Sequence, residues 1–320
     1  MNVQLPFYLF TIIRFTFVTI TLIVVVRLIM YLLTRMWRKQ KYKLVWTSIY
    51  SVDRRSNLSY DEFVREYASV GKPVIITDAM KDWKASTKWT LDFFRSECAS
   101  ISVGDFGVEN PLMDMTVAEY LDRTTAADCD KFLYRAWPIS SFPKLYEDYK
   151  VPVYFHDWLP RLPQKPLNNY FGYLLTILFI GAKDTSIGLH KDGLDMPSWI
   201  ALISGRKKIV LFTPDQEDFL YNGQVDVFNP DYKKFPLYVN TTPVEVNLEA
   251  GEIIFVPIRW FHHVINIENS ISLASNFINE WCSEIVFEAV RNEAPIKGKI
   301  LPLILEFPLI GKALSTTGLL

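Results

Sequence analysis

His190 and Asp192 flank Lys191, and His262 answers them from far along the chain, so two imidazoles and one carboxylate are available as a set. Those three donors can occupy one face of a non-haem Fe(II) ion and leave its other coordination positions open. An i,i+2 spacing on extended backbone turns His190 and Asp192 to one side and Lys191 to the other. The set is unlike the thiolate-rich ligands of a structural zinc site. The chain has four histidines, and three of them, His190, His262 and His263, stand in these two segments. On a strand His263 would face away from His262. It therefore takes a supporting or packing role, with exchange of ligand duty between the two neighbours as the alternative. His156 stands alone and reads as an ordinary surface or partly buried histidine.

Distant ligands need strands to bring them together. From residue 174 onward, short β-branched runs alternate with glycine, proline and polar turns, and strands are expected over residues 174 to 180, 199 to 203, 208 to 212, 244 to 246, 252 to 256 and 270 to 274. Such spacing suits a barrel or sandwich whose closure removes exposed edges. Upstream, residues 57 to 62 offer a helix cap followed by acidic first-turn positions. Lys72-Pro73-Val74-Ile75-Ile76-Thr77 reads as a strand, residues 90 to 95 and 115 to 121 as helices, and residues 132 to 137 as a strand. Trp83 and Trp89 are read as core packing. Prolines 138, 143, 152, 160, 163 and 166 mark connecting architecture with restricted backbone angles.

Residues 7 to 33 are almost wholly apolar, interrupted by Arg14 and Arg27, and as a helix they reach across the roughly 30 Å hydrocarbon core of a bilayer. Arg35, Arg38, Lys39, Lys41 and Lys43 follow at once, a bias that predicts a single-pass anchor with the C-terminal domain on the cytoplasmic side. Arg14 is the awkward charge, which a helix lying in the membrane interface would accommodate more easily. The net charge of −1 over 320 residues gives no chain-wide case for nucleic acid. Cys98, Cys129 and Cys282 form no CxxC pair and cannot all be joined within one chain, so a reducing compartment is favoured over a disulfide scaffold.

Taken together, Lys72-Pro73-Val74-Ile75-Ile76, Asp82-Trp83, Lys88-Trp89-Thr90, His190-Lys191-Asp192, Ser204-Gly205-Arg206-Lys207-Lys208, residues 256 to 263 and Ser275-Asn276-Phe277 resemble JmjC-domain, cupin-like 2-oxoglutarate oxygenases. The pattern is similar to the small protein hydroxylase branch and runs from about residue 57 to residue 281. The resemblance implies a mainly β fold with flanking helices, a double-stranded β-helix (jelly roll) core preceded by the N-terminal transmembrane helix. The expected organisation is a membrane anchor and basic flank at 1–43, an N-terminal α/β region at 44–170, the cupin-like core at 171–281 and a helical extension at 282–320. That last stretch offers a face for the core or for a homodimer. Residues 301 to 310 are too short and too interrupted by proline to span a membrane.

The resemblance also implies chemistry. His190, Asp192 and His262 would hold Fe(II), with 2-oxoglutarate and O2 as cosubstrates and a protein or peptide as substrate, hydroxylated with release of succinate and CO2. Lys207 takes the position of the lysine that meets the far carboxylate of 2-oxoglutarate, with Lys208 as the alternative in a shifted register. Tyr134 and Asn276 match residues near the cosubstrate. Ile187 stands where relatives carry a threonine or serine, leaving Thr185, Ser186 or Thr176 to compensate. Ala136 and Met196 replace a glutamine and an asparagine of the asparaginyl hydroxylase in this branch, which argues against asparagine as the target. Lysyl or histone demethylation, small-molecule oxidation and a non-catalytic anchored scaffold are the alternative readings.

Overall fold

Along Val244–Glu249 the valines and Leu248 are buried while Glu245 and Asn247 reach solvent, the period of a strand covered on one face. Ser198–Ser204 is instead buried almost throughout, the mark of a central strand covered on both faces. These two patterns define two sheets. The computed structural model describes residues 4–41, 49–102, 115–124, 134–162, 167, 171 and 176–307. Its strands are β1 Asp53–Arg55, β2 Val74–Ile76, β3 Tyr134–Pro138, β4 Ile177–Gly181, β5 Ser186–His190, β6 Ser198–Ser204, β7 Arg206–Phe212, β8 Val244–Glu249, β9 Ile253–Val256, β10 Phe261–Asn266 and β11 Ser270–Asn276. A seven-stranded sheet runs β1-β2-β9-β6-β11-β4-β3, and a four-stranded sheet runs β5-β10-β7-β8.

The chain divides into two units, Met1–Lys43 and Leu44–Leu320. The first is a single helix, Gln4–Lys41, with an apolar stretch at Ile12–Lys41 that is long and apolar enough to cross a membrane. The second holds both sheets, which face one another across a shared core. Ile200, Leu202 and Ile254 from the large sheet meet Ile209, Leu211, Val246 and Val264 from the small one. The other face of the large sheet is covered by aromatic residues. Phe155 stacks on Trp199 and Phe255, and Trp281 packs edge-on against Phe255 and Phe277. Such rings supply large apolar area and specific contact geometry.

The expectation of a mainly β double-stranded β-helix is not met. Among the described residues 44% are helical and 23% are in strands, and the two sheets stay open, with β1, β3, β5 and β8 as their outer strands. The fold is mixed α/β. Part of the reason lies in the connections: Pro143, read from sequence as connecting architecture, begins a short helical turn at Pro143–Glu147, and Pro214 and Pro236 begin others at Pro214–Phe219 and Pro236–Asn240, where the ring's fixed φ suits a first turn. Ser59 caps Tyr60–Phe63 through a reciprocal pairing with Glu62, and Thr90 caps Leu91–Glu97. Both lie in the stretches expected to be helical. Trp83 and Trp89 are buried. Ser283–Glu293 is helical, and Pro295–Glu306, which contains Pro302, buries Leu301, Ile304 and Leu305.

Candidate metal centre

Register brings the separated ligands together. β10 pairs with β5 so that His262 stands opposite His190, and the ladder shifts between His262 and Val264. The two rings lie 4.2 Å apart between centroids. Asp192 follows immediately with extended backbone (φ −64°, ψ 145°), which keeps its carboxylate on the side of His190. One ligand atom from each of His190, Asp192 and His262 lies within 4.8 Å of the other two. Two imidazoles and one carboxylate thus form a facial set.

The imidazoles are oriented for ligation. His190 Nδ1 lies 2.8 Å from the Gly188 carbonyl and His262 Nδ1 3.5 Å from the Trp260 carbonyl. A nitrogen facing a carbonyl carries the hydrogen, so Nε2 of each ring keeps its lone pair for a metal. Burial pushes the His262 pKa down, and His190 pushes it further while Asp192 opposes. The neutral ring, the form that binds metal, is therefore favoured. Side-chain chemistry, proximity and tautomer all fit a mononuclear Fe(II) site.

The same inward face of the small sheet carries a second polar cluster. Asn266 pairs with Lys207 across β10 and β7 just as His262 pairs with Leu211, four residues away along the strand. The Lys207 ammonium is fully buried and donates to Asn266 Oδ1 at 2.6 Å. Burial brings its pKa down to about 7. Asn266 Nδ2 donates to Thr185 Oγ1 at 2.8 Å, Ser270 Oγ donates to Asn266 Oδ1 at 2.7 Å, and Thr185 Oγ1 donates to the Ala182 carbonyl at 2.6 Å. Thr185 therefore reaches Lys207 through Asn266. Lys208, on the opposite face of β7, pairs with Glu245 at 2.7 Å.

Other expected residues lie elsewhere. Asn276 is on β11 of the large sheet, and its amide donates to the Pro197 carbonyl at 3.4 Å, in the segment that follows Asp192. Tyr134 stands on β3 opposite Gly181, with its side chain outside the described residues. Ile187 pairs with Val264, Met196 is buried, and Ala136 faces Phe179 across β3 and β4. His263 is buried against Phe228 at 4.6 Å, and neither ring nitrogen has a hydrogen-bond partner among the described residues. His156 bonds Glu280 at 2.8 Å. Asn266 was missed from sequence. The available signal was alternation, which puts position i+4 of a strand on the face of His262.

Residues 60–281 match the Cupin-like domain, and the chain belongs to that family. It carries the family's fold together with a two-histidine, one-carboxylate face consistent with the Fe(II)/2-oxoglutarate oxygenase superfamily. The chain is 28% identical over 267 residues to the arginine-specific demethylase JMJ20 of Arabidopsis thaliana, across 70% of this chain and 56% of that one. It is 29% identical over 272 residues to the 2-oxoglutarate and iron-dependent oxygenase JMJD4 of Gallus gallus, across 72% and 62% of the two chains. A third relative, the tRNA wybutosine-synthesizing protein 5 of Gallus gallus, is 26% identical over 248 residues, across 67% and 72%. The chain spans only 56% and 62% of the length of the first two relatives.

Proposed function

We propose that this chain is an Fe(II)- and 2-oxoglutarate-dependent dioxygenase that hydroxylates a protein side chain and releases succinate and CO2. The observation that carries the reading is the convergence of His190, Asp192 and His262 within 4.8 Å. His190 and His262 would hold Fe(II) through Nε2 and Asp192 through a carboxylate oxygen. When bound, Fe(II) would activate O2 and 2-oxoglutarate would supply two of the four electrons that reduce it, the other two coming from the substrate C–H bond, so that one oxygen atom ends in succinate and the other in the substrate. Lys207 would hold the far carboxylate of 2-oxoglutarate, and meeting that anion favours its charged form despite the burial. Asn266 orients Lys207 and is itself held by Thr185 and Ser270. Asn276 and Tyr134 complete the proposed cosubstrate set.

A protein substrate is supported by the names of two kinds of relative, arginine-specific and lysine-specific demethylases. Demethylation is the same hydroxylation placed on an N-methyl carbon, after which formaldehyde leaves. The helix Gln4–Lys41 would anchor the enzyme as a single-pass protein, with its basic end and the domain beyond it on the cytoplasmic side.

The test uses the full chain purified anaerobically in detergent. One Fe(II) per chain is expected, together with succinate release that requires 2-oxoglutarate and is lost in a folded Asp192→Ala variant. Equal succinate release by that variant would overturn the reading. Iron and 2-oxoglutarate binding without turnover on methylated or unmodified peptides would instead favour an anchored binding protein. Formaldehyde among the products would select demethylation. Retention in carbonate-extracted membranes, with the C-terminal domain digested outside sealed vesicles, is the expected topology result.

A further inference from the structure

The three ligands come from two segments, and each segment passes through left-handed backbone beside them. After Asp192 the short turn Gly193–Asp195 holds Leu194 at φ 56° and Asp195 at φ 54°, and before β10 Arg259 sits at φ 64°. Side chains crowd the backbone in this region, so residues other than glycine stay there only where their surroundings fix them. Here the surroundings are each other. Arg259 Nε donates to Asp195 Oδ2 at 2.7 Å, joining a residue three positions beyond Asp192 to one three positions before His262.

A second tie runs on the side away from the ligands. Lys191, between His190 and Asp192, places its ammonium 5.7 Å from the centre of the Phe261 ring, beside His262. The same ammonium lies 2.7 Å from Glu217 Oε1 and 3.7 Å from Asp195 Oδ1. The Asp195 carboxylate is therefore shared by cations from both ligand-bearing segments. Its side chain is 17% exposed and that of Arg259 40%, so the pair adds little to global stability. Its leverage is local: Asp192 and Arg259 lie outside the strands, where no ladder hydrogen bonds fix their position.

We infer that the Asp195–Arg259 ion pair is a clasp that sets the spacing of the two ligand-bearing segments, making both positioning residues for the metal centre. This rests on the metal-binding reading of His190, Asp192 and His262. The test titrates the full chain in detergent with Co(II), following its visible absorption, and measures urea unfolding of the metal-free protein. Asp195→Ala and Arg259→Ala should each bind Co(II) about tenfold more weakly, the usual effect of losing a supporting contact around a metal site. The double variant should be no weaker than the worse single one, Asp195→Glu should recover part of the affinity, and the metal-free unfolding midpoint should stay in place. Undiminished Co(II) affinity in both single variants overturns the clasp, as do additive losses in the double variant. A parallel fall in metal-free stability also overturns it, because the pair would then be holding the fold. If His262→Ala binds Co(II) as tightly as the unaltered chain, the metal site itself is misassigned, a result distinct from any failure of the clasp.

Discussion

The two sheets bury different things. At the centre of the large sheet, Trp199 of β6 and Phe255 of β9 pack in aromatic contacts, both against Phe155 and Phe255 also against Trp281. The small sheet faces the same core but buries Lys207, His262 and Asn266 along it. Burying polar groups is costly unless each finds a partner, and the Lys207 cluster finds partners in Asn266, Thr185 and Ser270. At the other end of that face the side chains of His190, Asp192 and His262 converge. A sheet that buries ionisable groups, leaning on one whose buried polar side chains are hydroxyls and an amide, is the pattern of a site on a support.

The largest effect should come from breaking the ligand end. His262→Ala and Asp192→Ala each remove a first ligand, so Fe(II) affinity should fall by more than the roughly hundredfold that loss of a supporting contact can cost. Isothermal titration of the metal into folded variants checks this, and affinity within threefold of the unaltered chain would refute the assignment. The support should respond in the opposite sense. Trp199→Ala should destabilise the fold by about 3–5 kcal/mol, yet leave metal affinity unchanged at temperatures where the variant is folded. A Trp199→Ala protein that keeps its stability but loses metal would erase the distinction between the sheets.

The ligand end was legible from sequence because the pattern is local in type: His-x-Asp on extended backbone, then a histidine behind Trp260-Phe261. The strands that carry it were less so. β5 contains Gly188 and β10 carries two histidines and Asn266, so neither shows the apolar run that marks β6 or β9. Fold class was misread for a related reason. Helical turns such as Val153–Phe155 and Leu159–Arg161 are shorter than one period of a helical pattern, so periodicity cannot reveal them. Asn266 escaped because asparagine in a strand has no local signature, and its partner Lys207 is distant in sequence.

Next in size is the far end of the same face. Lys207→Ala should weaken 2-oxoglutarate binding by about 1.5–3 kcal/mol, the worth of a hydrogen bond to a charged group, or about tenfold to more than a hundredfold. Fe(II) affinity should hardly move. Lys208→Ala should leave cosubstrate binding intact, since its ammonium is already paired with Glu245 on the opposite face. A large cosubstrate defect in Lys208→Ala and none in Lys207→Ala would reverse the assignment of these neighbours.

A smaller effect separates His262 from His263, whose pKa burial holds down at about 4 while Asp226 opposes and His190 reinforces the shift. A histidine near 6.5 in the unfolded chain takes up its proton before the folded one does. Its contribution to stability is therefore present above about pH 6.5 and is lost as pH falls towards 4. His263→Leu should reduce the acid slope of metal-free stability by up to about 1.4 kcal/mol per pH unit, one proton's worth. Its cost at neutral pH should be small, because the ring nitrogens have no hydrogen bonds to lose among the described residues. An unchanged slope in urea titrations from pH 7 to 4 would show that other groups dominate acid sensitivity.

The smallest effect belongs beside the aromatic cover of the large sheet, where His156, next to Phe155, bonds Glu280, next to Trp281, and Tyr60 donates to the same carboxylate. Hydrogen bonding to Glu280 raises the His156 pKa against the opposing effect of burial. The sign is opposite to that of His263: a raised pKa makes the pair's contribution complete below about pH 6.5 and removes it as pH rises through the higher folded value. Burial pushes Glu280 up, but its bonds to His156 and Tyr60 outweigh this and hold it at about 2, so the carboxylate stays charged throughout that window. With 38% of the His156 side chain exposed, solvent screens the attraction, and a double-mutant cycle should give a coupling of at most about 1 kcal/mol. That coupling should shrink between pH 6 and 9 while metal affinity stays the same in all four proteins. Growth of the coupling with pH would mean that the pair acts through the neutral imidazole, and a change in metal affinity would show that the two sheets are less independent than their packing implies.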